Sequence, residues 1–138
     1  HNAVYGGEMS AHHYFRDFAY CDSGMIPWLL TVALLSETGQ SLSTLVENMI
    51  TKFPCSGEIN FKVADTQTTI QKIFDFYADK NPQIDRTDGV SLDFGAWRFN
   101  VRASNTEPLL RLNIESRADQ NPQPMQHYVD ELTALIQG

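Results

Sequence analysis

Arg102-Ala103-Ser104-Asn105-Thr106-Glu107-Pro108 sets a guanidinium just ahead of a run of short polar side chains. The fork of Arg102 donates to two oxygens of an anion at once. Ser104, Asn105 and Thr106 add further donors, together with backbone N–H groups that a tight loop aims inward. This combination suits a dianionic phosphate, provided the Glu107 carboxylate points away from it. The same residue types are ordinary turn formers, so a plain hairpin loop is the competing reading. A second run, Gly6-Gly7-Glu8-Met9-Ser10-Ala11-His12-His13, carries different chemistry. Glu8 accepts two hydrogen bonds and Ser10 both donates and accepts, a match for vicinal sugar hydroxyls. His12 carries a proton near neutral pH. Adjacent His12 and His13 diverge in a strand and the nearby acids keep no standard ligand spacing, so no metal is expected here. A satisfied polar loop is the alternative.

The elements that must position these residues fall into two stretches. Ala3, Val4 and Tyr5 read as a short strand running into Gly6-Gly7, then a loop through Asp22-Ser23. Asp22 or Ser23 as N-cap and Pro27 in the first turn open a helix that is apolar on nearly every side from Met25 to about Glu37. Such a helix is buried against several neighbours, which suggests that some of its partners lie outside this chain. Gly39 stops it, and Leu42, Leu45, Val46, Met49, Ile50 and Phe53 mark an amphipathic helix. Phe53-Pro54-Cys55-Ser56-Gly57 reads as a linker, which divides the chain into regions 1–56 and 57–138.

Beyond it, Ile59, Phe61 and Val63 alternate as in a half-buried strand. Ile70, Ile73, Phe74 and Tyr77 form a helical stripe, and Asp88-Gly89 marks a turn. Val90, Leu92 and Phe94, then Trp97, Phe99 and Val101, then Leu110, Leu112 and Ile114 each follow period two, and Met125 to Ile136 closes as a second amphipathic helix. The expected fold is α+β: an antiparallel sheet with two helices on one face, preceded by a strand-loop-helix-helix remnant of an α/β domain. Strand parity places Arg102 on the face opposite Trp97, Phe99 and Val101.

Composition narrows the function classes. With 42% hydrophobic and 20% charged residues the 138-residue chain is neither a disordered tail nor a coiled coil. The longest apolar stretch, Met25 to Leu35, is well short of the roughly 20 residues that span a bilayer, so no membrane partner is expected. A net charge of −7 argues against nucleic acid, which requires clustered basic residues. Cys21 and Cys55 match no metal or redox spacing and read as buried thiols of a cytoplasmic protein.

Gly7-Glu8-Met9-Ser10-Ala11-His12, Asp22-Ser23-Gly24 and the Arg102–Pro108 run, in this order, resemble the α-D-phosphohexomutases. Tyr5 to Leu30 and Asp85 to Ser116 are most similar to the bacterial phosphomannomutase branch. The resemblance implies the end of a third domain and the whole of a fourth from an enzyme of four domains around one cleft. It implies that Glu8 and Ser10 grip sugar hydroxyls, that His12 acts as a general acid/base or orienting group, and that Arg102, Ser104, Asn105 and Thr106 hold the phosphate not being transferred. The implied activity is interconversion of mannose 6-phosphate and mannose 1-phosphate through a bisphosphate. The phosphoserine and the Mg²⁺ ligands belong to upstream domains, so this chain alone is expected to be inactive. Ala11 stands where related enzymes often have Gly. A free-standing phosphosugar-binding module and a phosphoglucomutase of the same family are the alternatives.

Overall fold

The computed structural model describes every residue except His1, Met9, Asn105 and Pro122. The chain forms two compact units, His1–Val46 and Glu47–Gly138.

In the first unit the stretch expected as a loop folds back twice. Strands β1 (Tyr5–Gly7), β2 (His13–Phe15) and β3 (Cys21–Asp22) form a small antiparallel sheet in that order. Strands of two or three residues are too short to display an alternating pattern, which is why the sequence reads as a loop. Ala19 and Tyr20, both left-handed at φ 54° and 58°, turn the chain between β2 and β3. Helix α1 spans Met25–Thr38, and the Ser23 hydroxyl accepts from the Ile26 N–H at 3.3 Å. It ends at Gly39, whose left-handed backbone (φ 64°) lets its N–H donate to the Leu35 carbonyl. Trp28, Leu29 and Leu30, at three successive positions and so on different sides of α1, are each more than half exposed. Helix α2 (Leu42–Lys52) begins after Ser41, whose Oγ accepts from the Thr44 N–H at 3.1 Å, and it runs across the boundary between the units.

The second unit is a five-stranded antiparallel sheet in the order β4-β8-β7-β6-β5. Its strands are β4 (Ile59–Lys62), β5 (Gln83–Asp85), β6 (Val90–Asp93), β7 (Trp97–Ala103) and β8 (Leu109–Ser116). Helices α3 (Thr66–Tyr77) and α4 (Met125–Gln137) pack on β7 and β8 and on each other. Asp65 caps α3 by accepting from the Gln67 and Thr68 N–H groups. Ile70, Ile73, Tyr77, Tyr128, Leu132 and Ile136 from the helices join Phe99, Val101, Leu110, Leu112 and Ile114 in one buried cluster, so both helices cover the same face. Each such side chain contributes about 1.5–3 kcal/mol by leaving water. Trp97 stacks on Tyr128 with ring centroids 4.0 Å apart. Tyr77 donates to Glu131, and burial followed by that contact pushes its hydroxyl far above the ordinary range.

The segment before β4 follows the same sheet. Ser116 N–H donates to the Pro54 carbonyl and Ser56 N–H to the Ile114 carbonyl, both at 2.9 Å, so residues 54–56 run alongside β8. Gly57 (φ 67°) then breaks the ladder immediately before Glu58. Cys21 and Cys55 are exposed free thiols, not the buried ones their composition suggested. Short strands and edge segments leave little apolar depth in which to bury them.

The uncovered face of the sheet is polar. Arg98, Asn100 and Arg102 alternate with Phe99 and Val101, and Arg111, Asn113 and Glu115 alternate with Leu110, Leu112 and Ile114. Arg102 therefore lies opposite the core face, as strand parity required.

Candidate functional site

Glu8, Ser10 and His12 come together at the tip of the β1–β2 hairpin. Gly7 pairs with His13 as the last strand pair. Beyond it Glu8 N–H donates to the His12 carbonyl and Ala11 N–H to the Glu8 carbonyl, both at 3.0 Å. This is a tight turn closed by a residue in the left-handed region, here Ala11 at φ 63°. A left-handed backbone favours glycine, so Ala11 carries its methyl at a strained position.

The tip is ordered by side chains. Ser10 Oγ donates to Glu8 Oε2 at 3.0 Å and the Tyr14 hydroxyl donates to Glu8 Oε1 at 2.9 Å. Each carboxylate oxygen thus holds one internal donor and keeps accepting capacity for another. The contact with Glu8 also raises the Tyr14 hydroxyl above its ordinary range. His12 Nδ1 lies 2.8 Å from Asp22 Oδ2, and Asp22 Oδ1 accepts from the His13 N–H at 2.8 Å. A carboxylate partner places the proton on Nδ1 and leaves Nε2 to exchange with a ligand. The Asp22 hydrogen bond, then its charge, raises the His12 pKa above the ordinary 6.5. The His13 N–H, then His12, holds Asp22 below the usual carboxylate range. Of the two cap candidates, Asp22 orients His12, and it is the Ser23 hydroxyl that accepts from the first turn of α1.

Arg102, Ser104 and Thr106 lie at the β7–β8 end of the sheet in the second unit, and Asn105 lies outside the described residues. Ser104 N–H donates to the Leu109 carbonyl at 2.8 Å, which closes the connection. Ser104 is half-buried and Thr106 exposed. Directly opposite Arg102 in the β7–β8 ladder stands Arg111, which the sequence reading had not singled out. Two guanidiniums facing across a ladder repel each other. Glu58 bridges them: its Oε2 is 3.7 Å from Arg102 Nη2 and its Oε1 is 3.5 Å from Arg111 Nη1. Asp88 lies 3.8 Å from Arg102 Nε, and Glu107 lies 3.6 Å from Arg111 Nη2. All four separations exceed the 2.7–3.2 Å of a well-formed hydrogen bond, so among the described residues these carboxylates offset the two guanidiniums without close hydrogen bonds to them. Arg111 Nη2 donates to Ser104 Oγ at 3.3 Å, whereas its buried Nε has no partner among the described residues. Two guanidiniums beside a hydroxyl make an arrangement that can hold an anion's oxygens.

In the sequence Arg111 falls between the strand positions Leu110 and Leu112, and Glu58 stands just before the strand that begins at Ile59. Parity puts Arg111 on the polar face of β8, but its position opposite Arg102 depends on register. Among the described residues no group of three or more His, Cys, Asp or Glu could hold a metal ion. The resemblance assigns the Mg²⁺ ligands to upstream domains.

Known proteins resemble this chain throughout. The family model for phosphoglucomutase/phosphomannomutase alpha/beta/alpha domain III matches residues 1–53, and the model for the C-terminal domain matches residues 58–132. A curated "Phosphohexose mutases" protein from Xanthomonas campestris pv. campestris is 58% identical over 137 residues, 99% of this chain and 30% of its own length. A phosphomannomutase from Salmonella montevideo is 58% identical over 118 residues, 86% of this chain and 26% of its own length. One from Vibrio cholerae is 56% identical over 136 residues, covering 98% and 29%. The chain thus spans less than a third of the length of these relatives. A crystal structure of a phosphoglucomutase/phosphomannomutase family protein from Burkholderia thailandensis shares the fold, with a TM-score of 0.65 at 19% identity, over 97% of this chain and 28% of that one.

Proposed function

The chain belongs to the phosphoglucomutase/phosphomannomutase family, and we propose that it is the sugar- and phosphate-reading part of a phosphomannomutase that interconverts mannose 6-phosphate and mannose 1-phosphate. Within it, residues 1–56 read the sugar and residues 57–138 read the phosphate. Glu8 and Ser10 accept and donate to a pair of ring hydroxyls, and His12 orients a hydroxyl or moves its proton through Nε2. Arg102, Ser104, Asn105 and Thr106 hold the phosphate that is not being transferred. The nucleophile, the Mg²⁺ that neutralises charge on the transferring group, and the rest of the cleft belong to upstream domains of a cytoplasmic enzyme. Among the described residues no helix is long and apolar enough to cross a membrane.

The observation that carries this reading is the pair Arg102 and Arg111, facing each other across β7 and β8 beside Ser104. A remote clamp of this kind raises the rate by fixing the reacting end of the substrate. In the enzyme that contains this chain, Arg102→Ala is expected to lower kcat/KM for mannose 1-phosphate by about 1.5–3 kcal/mol, the range for a hydrogen bond to a charged group. An unchanged kcat/KM would show that Arg102 is not part of the clamp. Comparing the same loss on glucose 1-phosphate separates phosphate holding, which affects both sugars equally, from sugar selection.

A further inference from the structure

The arginine pair carries its own anion. Ile59 and Phe61 turn into the core, so Glu58 and Asn60 fall on the polar face, and Asn60 pairs with Arg111 in the β4–β8 ladder. From this position the Glu58 side chain, 22% exposed, reaches both guanidiniums. Asp88 and Glu107 are 77% and 58% exposed and touch one arginine each. Water and salt screen those two far more than Glu58. Two cations thus meet three carboxylates, and a phosphate entering among them competes with the one carboxylate that is partly desolvated and shared.

We propose that Glu58 is the resident counter-anion of the clamp: it stands between Arg102 and Arg111, offsets their repulsion when no phosphate is bound, and yields them to a phosphate monoester. The inference rests on the phosphate-holding role given to Arg102 above. Its separations of 3.5 and 3.7 Å suit that task. A carboxylate in bidentate hydrogen bonds would have to be pulled off the arginines, whereas one held at longer range offsets their repulsion without close hydrogen bonds to break. The bisphosphate intermediate must turn over between the two transfers, so the clamp has to release one phosphate and take up another in every cycle. A carboxylate that reclaims the arginines lowers the barrier to that release. Glu58 is accordingly a positioning residue whose removal leaves an arginine pair that is less stable when empty and grips phosphate more tightly.

The test uses the enzyme that contains this chain, with inorganic phosphate as the probe and chloride at matched ionic strength as control. Amide NMR shifts at Ser104 and Thr106 report binding, and thermal melting reports stability. Glu58→Gln is expected to melt below the parent without phosphate, to bind phosphate at least threefold more tightly, and to gain more melting temperature from it. Glu58→Asp, shorter by one methylene and unable to reach both arginines, is expected to change in the same direction and serves if the Gln variant does not fold. Glu107→Gln, exposed and touching Arg111 alone, is expected to change affinity less than twofold. Phosphate binding by Glu58→Gln equal to or weaker than the parent, with binding still lost in Arg102→Ala, would overturn the counter-anion role and leave the clamp standing. A parent chain that responds to phosphate no more than Arg102→Ala would overturn both.

Discussion

The turn before β6 sets the position of Arg102, and Gly89→Ala tests it. Val90 pairs with Val101, so Gly89 lies opposite Arg102, one step beyond the ladder. Its φ of +70° is in the left-handed region, where a side chain costs about 1–2 kcal/mol. A Cβ at Gly89 would also collide with the Val101 carbonyl oxygen and lie 2.5 Å from Arg102 Cβ. Relieving such an overlap against strand backbone costs about 1–3 kcal/mol more. Alanine returns about 0.4–1 kcal/mol by restricting the unfolded chain. The net expectation is a loss of roughly 1.5–4 kcal/mol, with Arg102 displaced. Gly95 supplies the control: its φ of +83° carries the same strain, but a Cβ there meets nothing within 4 Å. Gly95→Ala is therefore expected to cost only about 1 kcal/mol. Urea unfolding followed through Trp97, half-buried against the core of the second unit, in a Trp28→Phe background measures both variants. Equal losses would refute the argument, because they would mean that the close approach of Gly89 to Arg102 has no energetic weight.

Two further outcomes concern the hairpin tip. Ala11→Gly relieves a left-handed alanine and is expected to raise the urea midpoint of the first unit, by about 0.5–1 kcal/mol after the entropy of the more flexible unfolded chain is subtracted; a lower midpoint would show that Ala11 is unstrained. The His12–Asp22 pair carries a defined pH dependence. The raised His12 pKa contributes stability that is complete below 6.5 and is lost as pH rises through the folded value. The lowered Asp22 pKa contributes stability present above 3.8 and lost as pH falls through its folded value. The pair is thus strongest between those limits. Asp22→Asn is expected to lower the His12 titration by NMR and to flatten the alkaline limb of the stability profile; an unaltered His12 titration would show that Asp22 is not its partner.

Much of this molecule was legible from residue order. Ile70, Ile73 and Tyr77 at helical spacing, and Phe99 with Val101 at period two, each identified an element and the face it buries. Burial imposes these patterns on a single segment, so they can be read from that segment alone. The same logic placed Arg102 on the open face and picked out Glu8, Ser10 and His12 by chemistry. It did not see β2 and β3, which are too short to hold a pattern, and it took the cysteines for core residues when both are exposed. What tertiary structure decided is who stands beside whom. Arg111 is opposite Arg102 because of the β7–β8 register, Glu58 reaches both because β4 pairs with β8, and Asp22 meets His12 because β3 folds back on β2. Those neighbours come from distant or oppositely running segments, and a one-residue slip would exchange every one of them without altering any local pattern. Residue order determined the kinds of groups available and the faces they occupy; strand pairing determined the charge balance among them, because electrostatic energy depends on separation in space and not along the chain.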